Sequence, residues 1–400
     1  MRRAPRQVPI VAANSKAIQS DDIDALFARE FPVQTRLIYL NHAAVAPWPQ
    51  RTADAVAQFA AESAREGAHN YLRWVERESR LRDQIARLIN APSSDDIALL
   101  KNTSEALSVV AHGFPWKAGD SVVICREEFP SNRVVWESLE RYGVDTRQVS
   151  LIGCADPERA LTDAADSSTR LISVSSVQYA RGLRLDLTRL GQLCHQRGIA
   201  LCVDAIQGLG ALPHDVQAMH IDFLMADAHK WLLGPEGIAA FYCRGDWRER
   251  LTLHQYGWHM VENSGDYERR DWEIARSARR FECGSPNMLG IYALSESLSL
   301  LEEIGAAEIE ERITTRARHL FESIQSRSRL ELVTDTRSGR YSGIVTFRHN
   351  RADHEALFRH LRLQGVVCAP RGGGIRFSPH CYVPFDHLDR AMAAVDSFTG

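Results

Sequence analysis

The sequence predicts an α/β protein whose larger part is a mostly parallel sheet and whose smaller part is an α+β domain. Between about residues 95 and 245, short β-rich apolar runs alternate with helix-length amphipathic segments. That alternation is typical of parallel strands joined by crossover helices. From about residue 290, a long amphipathic stretch precedes several short strand-like runs, which indicates a separate α+β layer.

The strand-like runs of the central region have the length of buried strands, and helix-length segments separate them. In chain order the strand candidates are DIALL (96–100), DSVVIC (120–125), TRLISVSS (169–176), IALCVD (199–204), IDFLMAD (221–227) and GIAAFYC (237–243). The helix candidates are SEALSVVAHGF (104–114), NRVVWESLERYG (132–143) and LTRLGQLCHQRG (187–198). Ligands bind at the carboxyl ends of the strands in such sheets, so polar residues that follow these runs are site candidates.

The last third of the chain is predicted to begin with a single long helix over 291–327. The strand candidates that follow are GIVTFRH (343–349), GVVCAP (365–370) and GIRFSPHCY (374–382). We therefore expect a large domain over 31–289 and a smaller domain made of 1–30 and 290–400.

Composition excludes several classes of function. The chain has 400 residues, of which 44% are hydrophobic and 25% are charged, and it is long enough for a large core and a smaller one. Its formal net charge of −3 lacks the positive excess of a nucleic-acid binder. The eight cysteines include no C-x-x-C pair and no metal-site spacing occurs, so we expect no metal and a cytoplasmic location. No window approaches the ~18 apolar residues of a membrane span, so we expect no membrane association.

Two reactive side chains directly follow predicted strands. Asp204 ends IALCVD, and Lys230 lies between FLMADAH and WLLGPEG. A lone aspartate there is most often a turn residue, and a lone lysine is most often a solvated loop residue. The apolar sequence around Lys230, however, would desolvate its amine and suit it to Schiff-base formation. A Schiff-base lysine and an acid that pairs with a pyridinium nitrogen are what pyridoxal phosphate requires.

The segment KNTSEALSVV (101–110) offers donors for a phosphate group. Thr103 and Ser104 lie between a predicted strand and a predicted helix, where free backbone N–H groups and the helix dipole favour an anion. His229 could donate to the same phosphate. The alternative is an ordinary helix N-cap with Glu105 in the first turn.

Seven blocks of this sequence carry a resemblance to a known family. They are YLNHAAVAP (39–47), KNTSEAL (101–107), SVQYARGLRLDL (176–187), the run from Asp204 to Gln207, ADAHKWLLGPEG (226–237), FECGSPNMLGI (281–291) and RGGGIRFSPHCY (371–382). In this order they resemble the class V aminotransferase family of pyridoxal-phosphate enzymes, which includes cysteine desulfurases and isopenicillin N epimerase-like proteins. The resemblance implies the fold-type I, aspartate aminotransferase-like architecture for the large domain.

The resemblance assigns roles around the cofactor ring. Lys230 would form the internal aldimine, Asp204 would pair with the pyridinium nitrogen, and Gln207 would donate to the phenolic oxygen. These three assignments agree with the chemistry argued above for the lysine and the aspartate.

An aromatic residue and an amide are also expected beside the ring. Phe129, in REEFPSN, matches an aromatic ring that stacks on the cofactor. Many relatives have histidine there, and phenylalanine can stack but cannot titrate. Either Gln178 or Tyr179 would lie near the phenolic edge, and we favour Gln178.

The resemblance places the cofactor phosphate between two chains. Thr103, Ser104 and His229 would hold it from one subunit. Asp227 stands where relatives often have a small hydroxyl residue, so its role as a cofactor residue is in doubt. In this family a serine or threonine of the GSPN block reaches the phosphate from the partner subunit. Ser285 therefore implies a homodimer with shared active sites.

Three residues are expected to bind the substrate, a small molecule of the amino acid class. Arg376 matches the arginine that grips a substrate carboxylate, and its planar fork suits that group. A surface arginine between strand residues is the alternative. Asn41 and His42 could close over the substrate, although His42 could equally be a packing residue.

The resemblance predicts a reaction at the α-carbon of an amino acid, namely transamination, racemisation or epimerisation, or β-elimination. The alternative is a cysteine desulfurase that uses a persulfide cysteine. A scaffold without activity is disfavoured because the lysine, the aspartate and the arginine are all present. A nicotinamide enzyme has only the fragment QGLG (207–210) in its favour, and that fragment lacks the third glycine of the fingerprint.

A desulfurase needs an accessible thiolate on a mobile loop. In the desulfurases that this chain resembles, that cysteine lies shortly before the carboxylate arginine. Here Cys368 ends an apolar run before Arg376, and Cys381 lies beyond it. We therefore expect Cys368 to be a buried strand residue and neither cysteine to be needed for the main activity.

Overall fold

The computed structural model describes residues 20–399, and twelve α-helices and thirteen strands lie within that part of the chain. The helices are α1 (Ser20–Glu30), α2 (Gln50–Glu66), α3 (Tyr71–Leu88), α4 (Thr103–Gly113), α5 (Ser131–Glu137), α6 (Pro157–Asp163), α7 (Leu187–Gln196), α8 (Gly245–Arg248), α9 (Met288–Ile304), α10 (Ala306–Gln325), α11 (His354–Leu363) and α12 (Phe385–Asp396). The strands are β1 (Ile38–Tyr39), β2 (Ile97–Leu100), β3 (Ser121–Cys125), β4 (Asp145–Val149), β5 (Thr169–Ser175), β6 (Ala200–Asp204), β7 (Phe223–Asp227), β8 (Ala239–Cys243), β9 (Leu330–Leu332), β10 (Val345–His349), β11 (Val366–Val367), β12 (Ala369–Arg371) and β13 (Gly374–Phe377). Within the described residues, no helix is long and apolar enough to cross a lipid bilayer.

The large sheet has seven strands in the order β2-β8-β7-β6-β5-β3-β4. Neighbouring strands from β7 to β4 are parallel, whereas β8 is antiparallel to both β7 and β2. The prediction of a mostly parallel sheet is therefore confirmed, and each predicted strand of the central region is present.

Successive strand residues enter two core layers, one on each face of the large sheet. In β3, Val122 and Ile124 join one layer, whereas Val123 and Cys125 join the other. Every residue of β3, β6, β7 and β8 is buried. A strand that is covered on both faces needs apolar side chains at consecutive positions, which explains the unbroken apolar runs in the sequence.

Strand β4, at the edge of the large sheet, is absent from the predicted strands. Its sequence DTRQV has one apolar residue, and its side chains are exposed or half-buried. It pairs with β3 alone. A polar edge strand lacks the apolar run on which strand prediction depends.

The single long helix predicted over 291–327 is wrong. The structure has two helices, α9 and α10, with Gly305 between them. Gly305 has a φ of 90°, a left-handed conformation that ends α9 and that glycine adopts without a steric penalty. Both helices bury an apolar face, so the amphipathic pattern continues across the break.

The smaller sheet is antiparallel, with the strand order β12-β13-β10-β9. Beside it, β1 is parallel to β11. Asn41, which follows β1, forms a parallel bridge with Ser378, which follows β13. The segment that follows α1 is therefore joined to the C-terminal part of the chain.

The expected division into two domains stays a prediction. Helix α1 packs against α2, α9 packs against α2 and α3, and α10 packs against β9 and β10. The contacts of α1 with α2 and of α9 with α2 and α3 cross the expected boundary between 31–289 and the smaller domain of 1–30 and 290–400. The contacts of α10 with β9 and β10 lie within the smaller domain. Residues 1–19 of that smaller domain lie outside the described residues.

Gly191 in α7 permits a close approach to the turn before β7. A Cβ atom at this position would lie 1.8 Å from the carbonyl oxygen of Met219. Alanine favours a helix over glycine by about 1 kcal/mol, but the overlap with backbone outweighs that gain. We expect Gly191→Ala to lower the free energy of unfolding by about 1–3 kcal/mol, measured by urea denaturation.

The control is Gln192→Ala, on the exposed side of the same helix. It should change the free energy of unfolding by less than about 0.5 kcal/mol. A Gly191→Ala variant at least as stable as the parent would show that the close approach is not required.

Candidate active site

The carboxyl ends of β5, β6 and β7 bring polar residues to one edge of the large sheet. The three strands end at Ser175, Asp204 and Asp227, and Ser175 lies opposite Asp204 in the ladder. Lys230 follows β7 closely. Strand β3 lies between β4 and β5, so the chain connects from β3 to β4 on one side and then crosses to β5 on the other. In such sheets, ligands bind at the carboxyl ends of the strands where this change of direction occurs.

Burial changes the charge equilibria of Asp204 and Lys230 in opposite directions. Asp204 is 2% exposed, and burial raises the pKa of its carboxyl to about 6, although the Ile206 N–H donates to Oδ1 (3.1 Å). Burial lowers the pKa of the Lys230 amine to about 8; Asp204 opposes this change and Arg376 adds to it. The neutral, nucleophilic form of Lys230 is therefore far more populated near neutral pH than that of an exposed lysine.

Phe129 lies over the Lys230 amine. The distance from Lys230 Nζ to the centroid of the ring is 5.6 Å, and Phe129 is 43% exposed. Tyr179 packs edge-on against it, with 5.3 Å between the ring centroids. An aromatic side chain that is held from one side and open on the other provides a surface for stacking.

In the turn between β2 and α4, the residue that caps the helix is not one of the residues predicted to bind the phosphate. The helix N-cap is Asn102, whose side-chain oxygen accepts from the Glu105 N–H (2.8 Å). Thr103 Oγ1 accepts from the Asp227 N–H (3.0 Å), which ties the start of α4 to the end of β7. Ser104 is exposed and donates to a serine hydroxyl at the start of α5. Neither Thr103 nor Ser104 is needed as the cap.

Asp227 and His229 form a close pair beside this turn. Asp227 Oδ1 and His229 Nδ1 are 3.1 Å apart, but the contact is not aligned as a hydrogen bond, and both atoms are buried without a partner. A carboxylate repels a nearby phosphate, whereas the small hydroxyl of relatives would not. The assignment of Asp227 to the cofactor stays a prediction.

Glu128 is a buried residue of this edge that was not predicted. Its carboxylate accepts from the Ser175 N–H (2.8 Å) and from Gln178 Nε2 (3.4 Å), and Gln178 also contacts Cys125 Sγ (3.3 Å). Burial raises the pKa of Glu128 to about 7. The only indication in the sequence is that Glu128 directly precedes Phe129.

His42 has the contacts of the packing residue that was the alternative for it, and its contact with a substrate stays a prediction. Its side chain is fully buried, with Nδ1 2.8 Å from the Ser378 carbonyl oxygen and Nε2 2.7 Å from the Tyr382 hydroxyl. Burial and the neighbouring His380 hold the pKa of His42 well below its usual value. Because both ring nitrogens are occupied, His42 joins the segment after β1 to the segment after β13.

Gln207 also has partners inside the protein. Its Nε2 donates to the Ala43 carbonyl oxygen (3.0 Å), and its Oε1 accepts from Trp231 Nε1 (3.0 Å). These bonds hold the turn after β6 against the residue next to Lys230. One N–H of the amide remains, so the contact with the cofactor stays a prediction.

Arg376 comes from the smaller sheet and reaches the edge of the large one. Its Nη1 donates to the Tyr179 carbonyl oxygen (2.6 Å), whereas its Nε is buried without a partner. Asn41 bridges Ser378, which lies on the same face of β13 as Arg376, and Asn41 Oδ1 is also buried without a partner. A buried guanidinium with an unused donor is suited to a carboxylate.

Ser285 is set apart from the other predicted residues. It is exposed on the loop before α9, whose N-cap is Asn287. Between residues 20 and 399, no hydrogen bond joins Ser285 to another predicted site residue. Its contact with the cofactor of a second chain stays a prediction.

The polar atoms at this edge fit a ligand with the groups of pyridoxal phosphate. Asn41 Oδ1, His229 Nδ1 and Arg376 Nε are all buried without a partner. Buried polar atoms normally have partners, so unpartnered atoms on His229, which precedes Lys230, and on Arg376, whose charge acts on Lys230, indicate a polar ligand. Asp204 offers a carboxylate for a ring nitrogen, and Lys230 offers an amine for an aldehyde carbon.

Known proteins similar to this chain agree with that fit. The aminotransferase class-V family matches residues 38–386. A probable cysteine desulfurase from Methanothermobacter thermautotrophicus is 31% identical over 362 residues, covering 89% of this chain and 87% of that protein. The uncharacterized aminotransferase YcbU from Bacillus subtilis is 30% identical over 330 residues, covering 82% and 86%. The solved structure of the cystine C–S lyase C-DES with its reaction product cysteine persulfide has the same fold, with a TM-score of 0.86, 21% identity and coverage of 92% and 100%.

The fold and the buried lysine and aspartate at its sheet edge define a pyridoxal-phosphate-dependent enzyme of the aspartate aminotransferase-like fold type. The chain belongs to the class V aminotransferase family, whose match extends over most of its length.

The lowered pKa of Lys230 predicts how the cofactor-free protein takes up pyridoxal phosphate. Only the neutral amine reacts, so the rate of uptake should rise with pH and level off above about pH 8, the pKa of Lys230. The measurement is the growth of visible absorbance after mixing, repeated across pH. The variant Lys230→Ala is the control and should show no growth of this absorbance without added amino acid, because it lacks the amine that condenses with the aldehyde. A rate that continues to rise toward the ordinary lysine value of 10.5 would mean that Lys230 is not desolvated.

Proposed function

We propose that the protein cleaves the carbon–sulfur bond of a cysteine-type amino acid by β-elimination, and that the sulfur leaves without passing through a cysteine of the chain. The burial of both thiols near Arg376 carries this proposal. Cys368 and Cys381 are 4% and 1% exposed, and burial raises the pKa of each thiol to about 12. A buried neutral thiol is a poor nucleophile and cannot carry sulfur outward.

The hairpin between Cys368 and Arg376 is a compact turn. Strands β12 and β13 pair directly, and Gly372 and Gly373 close the turn with φ values of 63° and 75°. A Cβ atom on Gly372 would lie 2.9 Å from the Ala180 carbonyl oxygen, so the turn packs closely on the segment that follows β5. This packing is unlike the mobile loop that a sulfur-carrying cysteine needs.

Three residues would hold and serve the cofactor ring. The bound cofactor supplies a sink for the electron pair that remains when the α-proton leaves. The neutral amine of Lys230 would remove that proton, and the Asp204 carboxylate would keep the ring nitrogen protonated. Phe129 covers the ring and cannot titrate, so proton transfer at the α-carbon is assigned to Lys230. The sulfur group would leave the β-carbon with a proton, and water would hydrolyse the remaining enamine to a 2-keto acid and ammonia.

Arg376 would bind the substrate carboxylate. Its Nε is free, and its Nη1 is held by the Tyr179 carbonyl oxygen, so the guanidinium is already oriented. Asn41, with its own unpartnered oxygen on the same face, would contact the substrate from the adjacent segment. A carboxylate held there fixes an α-amino acid near the Lys230 amine.

The phosphate would lie at the N-terminus of α4. Thr103, Ser104 and His229 are the expected donors, and the helix dipole adds to them. We expect Asp227 to orient His229, which it contacts, and not to bind the phosphate, which its charge would repel. Gln178 and Gln207, which the structure anchors to the protein, would complete the surroundings of the ring.

Cysteine desulfurase chemistry through a persulfide is the second candidate function. The relative from Methanothermobacter thermautotrophicus is named a probable cysteine desulfurase. Cys154 is partly exposed and lines a cavity of about 390 Å³ that Gln178 also lines. A thiol at that place has the access that Cys368 lacks.

A homodimer with shared active sites fits the exposed surface of the chain. Four large aromatic side chains are exposed in one segment before the GSPN loop: Tyr256, Trp258, Tyr267 and Trp272. Exposed aromatic side chains at this density mark interaction surfaces. Ser285 lies on the loop that follows and is exposed, as a residue that reaches a second chain would be.

A cytoplasmic location agrees with the state of the cysteines. All eight are free thiols, and six of them are buried. Free thiols are typical of proteins in a reducing compartment. We therefore keep the cytoplasm as the proposed location.

The products distinguish the two candidate functions. With cysteine or cystine, the holoenzyme should release a 2-keto acid and ammonia in equal amounts, together with sulfide or persulfide. Cys368→Ser and Cys381→Ser should keep roughly the parental kcat because neither thiol is reached. Arg376→Ala should raise KM by roughly 10- to 100-fold because a charge-assisted contact is lost. Release of alanine in place of the keto acid, with activity lost in Cys154→Ser, would establish the desulfurase instead.

Shared active sites predict complementation between inactive variants. Lys230→Ala removes the reactive amine, and Ser285→Asp places a negative charge against the phosphate of the partner's site. A hybrid dimer has one site with both parental residues, so an equal mixture that is unfolded and refolded should regain roughly a quarter of the parental activity. Refolding each variant alone is the control. No recovery in a mixture shown to contain hybrids would mean that each chain holds its own complete site.

A further inference from the structure

A second cavity lies along the outer face of α4 and contains none of the predicted site residues. It measures about 410 Å³. We name it the α4 cavity and define it by its polar lining residues Glu105, His112, Arg141, Tyr142, His254 and Arg280. Its walls come from four parts of the chain: α4, the turn before β4, and the segments 252–255 and 280–281.

The floor of the α4 cavity holds a buried arginine without a counter-ion. Arg280 is 9% exposed, and its Nε is buried without a hydrogen-bond partner. Among residues 20–399, no carboxylate lies within ion-pair distance of its guanidinium; Glu249 acts on it only from a longer distance, and the nearby Arg248 pairs with Asp96. A buried arginine is normally paired because an unpaired buried charge is costly.

The wall of the α4 cavity adds a second guanidinium, that of Arg141, and does not neutralise Arg280. His112 lies close to Arg141 and His254, and after burial these two groups are the causes that lower its pKa. The only carboxylate in the lining, Glu105, already accepts from the Lys101 N–H (2.7 Å) and lies 3.3 Å from Lys101 Nζ. Two guanidinium groups line the cavity, and its one carboxylate is paired elsewhere, so the cavity favours an anion.

We propose that the α4 cavity binds a small oxyanion of the phosphate or sulfate class. The two guanidinium groups, of Arg280 and Arg141, offer planar forks that match such an anion, and the Tyr142 hydroxyl offers a further donor. Arg280 is buried, so its contact with an anion is less screened by water than a contact with the exposed Arg141. Arg141, His254 and Tyr142 are exposed at the rim, so the anion can enter from solvent.

The holoenzyme is the form to test, because the bound cofactor already fills the phosphate position at the N-terminus of α4. Inorganic phosphate, and separately inorganic sulfate, is titrated by calorimetry in a zwitterionic buffer without amino acid. We expect saturable binding of one anion per chain. Arg280→Gln and Arg141→Ala should each weaken it by roughly tenfold, as the loss of one charge-assisted contact does.

The matched control is Arg359→Ala, an exposed arginine on α11 that removes the same charge away from the cavity. It should bind the anion as the parent does. The absence of saturable binding, or equal weakening in Arg359→Ala, would overturn the proposal. Arg141→Ala lies at the rim and keeps the test valid if Arg280→Gln fails to fold. No substrate is present, so the outcome does not depend on the proposed carbon–sulfur cleavage.

Discussion

The desolvation of Lys230 and Asp204 at the carboxyl edge of the large sheet is the constraint on which the rest of this structure depends. Two ionisable groups can be buried only where the surrounding structure excludes water and supplies partners. Here two core layers cover both faces of β6 and β7, so their ends lie in the interior. Burial raises the pKa of the acid and lowers that of the amine, which brings their proton affinities together and prepares the lysine for nucleophilic and proton-transfer chemistry.

The second requirement is a carboxylate-binding group at the same edge, and the smaller sheet supplies it. Arg376 extends from β13 and is held by the carbonyl oxygen of Tyr179, on the segment after β5. The two parts of the chain approach closely at this point, because a Cβ atom on Gly182 would lie 2.5 Å from the Ile344 carbonyl oxygen. The position of the arginine relative to the lysine therefore depends on packing between the two sheets.

Much of the fold could be predicted from the sequence, and the misses have clear physical causes. Strands that are buried on both faces have continuous apolar runs, and all of those in the central region were recognised. Strand β4 was missed because an edge strand has no such run. The break at Gly305 was missed because one glycine with a positive φ ends a helix without interrupting the amphipathic pattern on either side.

The sequence by itself determined the chemistry of this protein. The lysine after β7, the aspartate that ends β6 and the order of the family blocks were enough to predict a pyridoxal-phosphate enzyme. The tertiary structure alone decided which polar side chains are free to act. It occupies both nitrogens of His42, buries the thiol of Cys368 and adds Glu128 beside Gln178. The reason is physical: residue type sets which reactions a side chain can perform, whereas burial and hydrogen-bond partners from distant segments set whether it can reach a ligand.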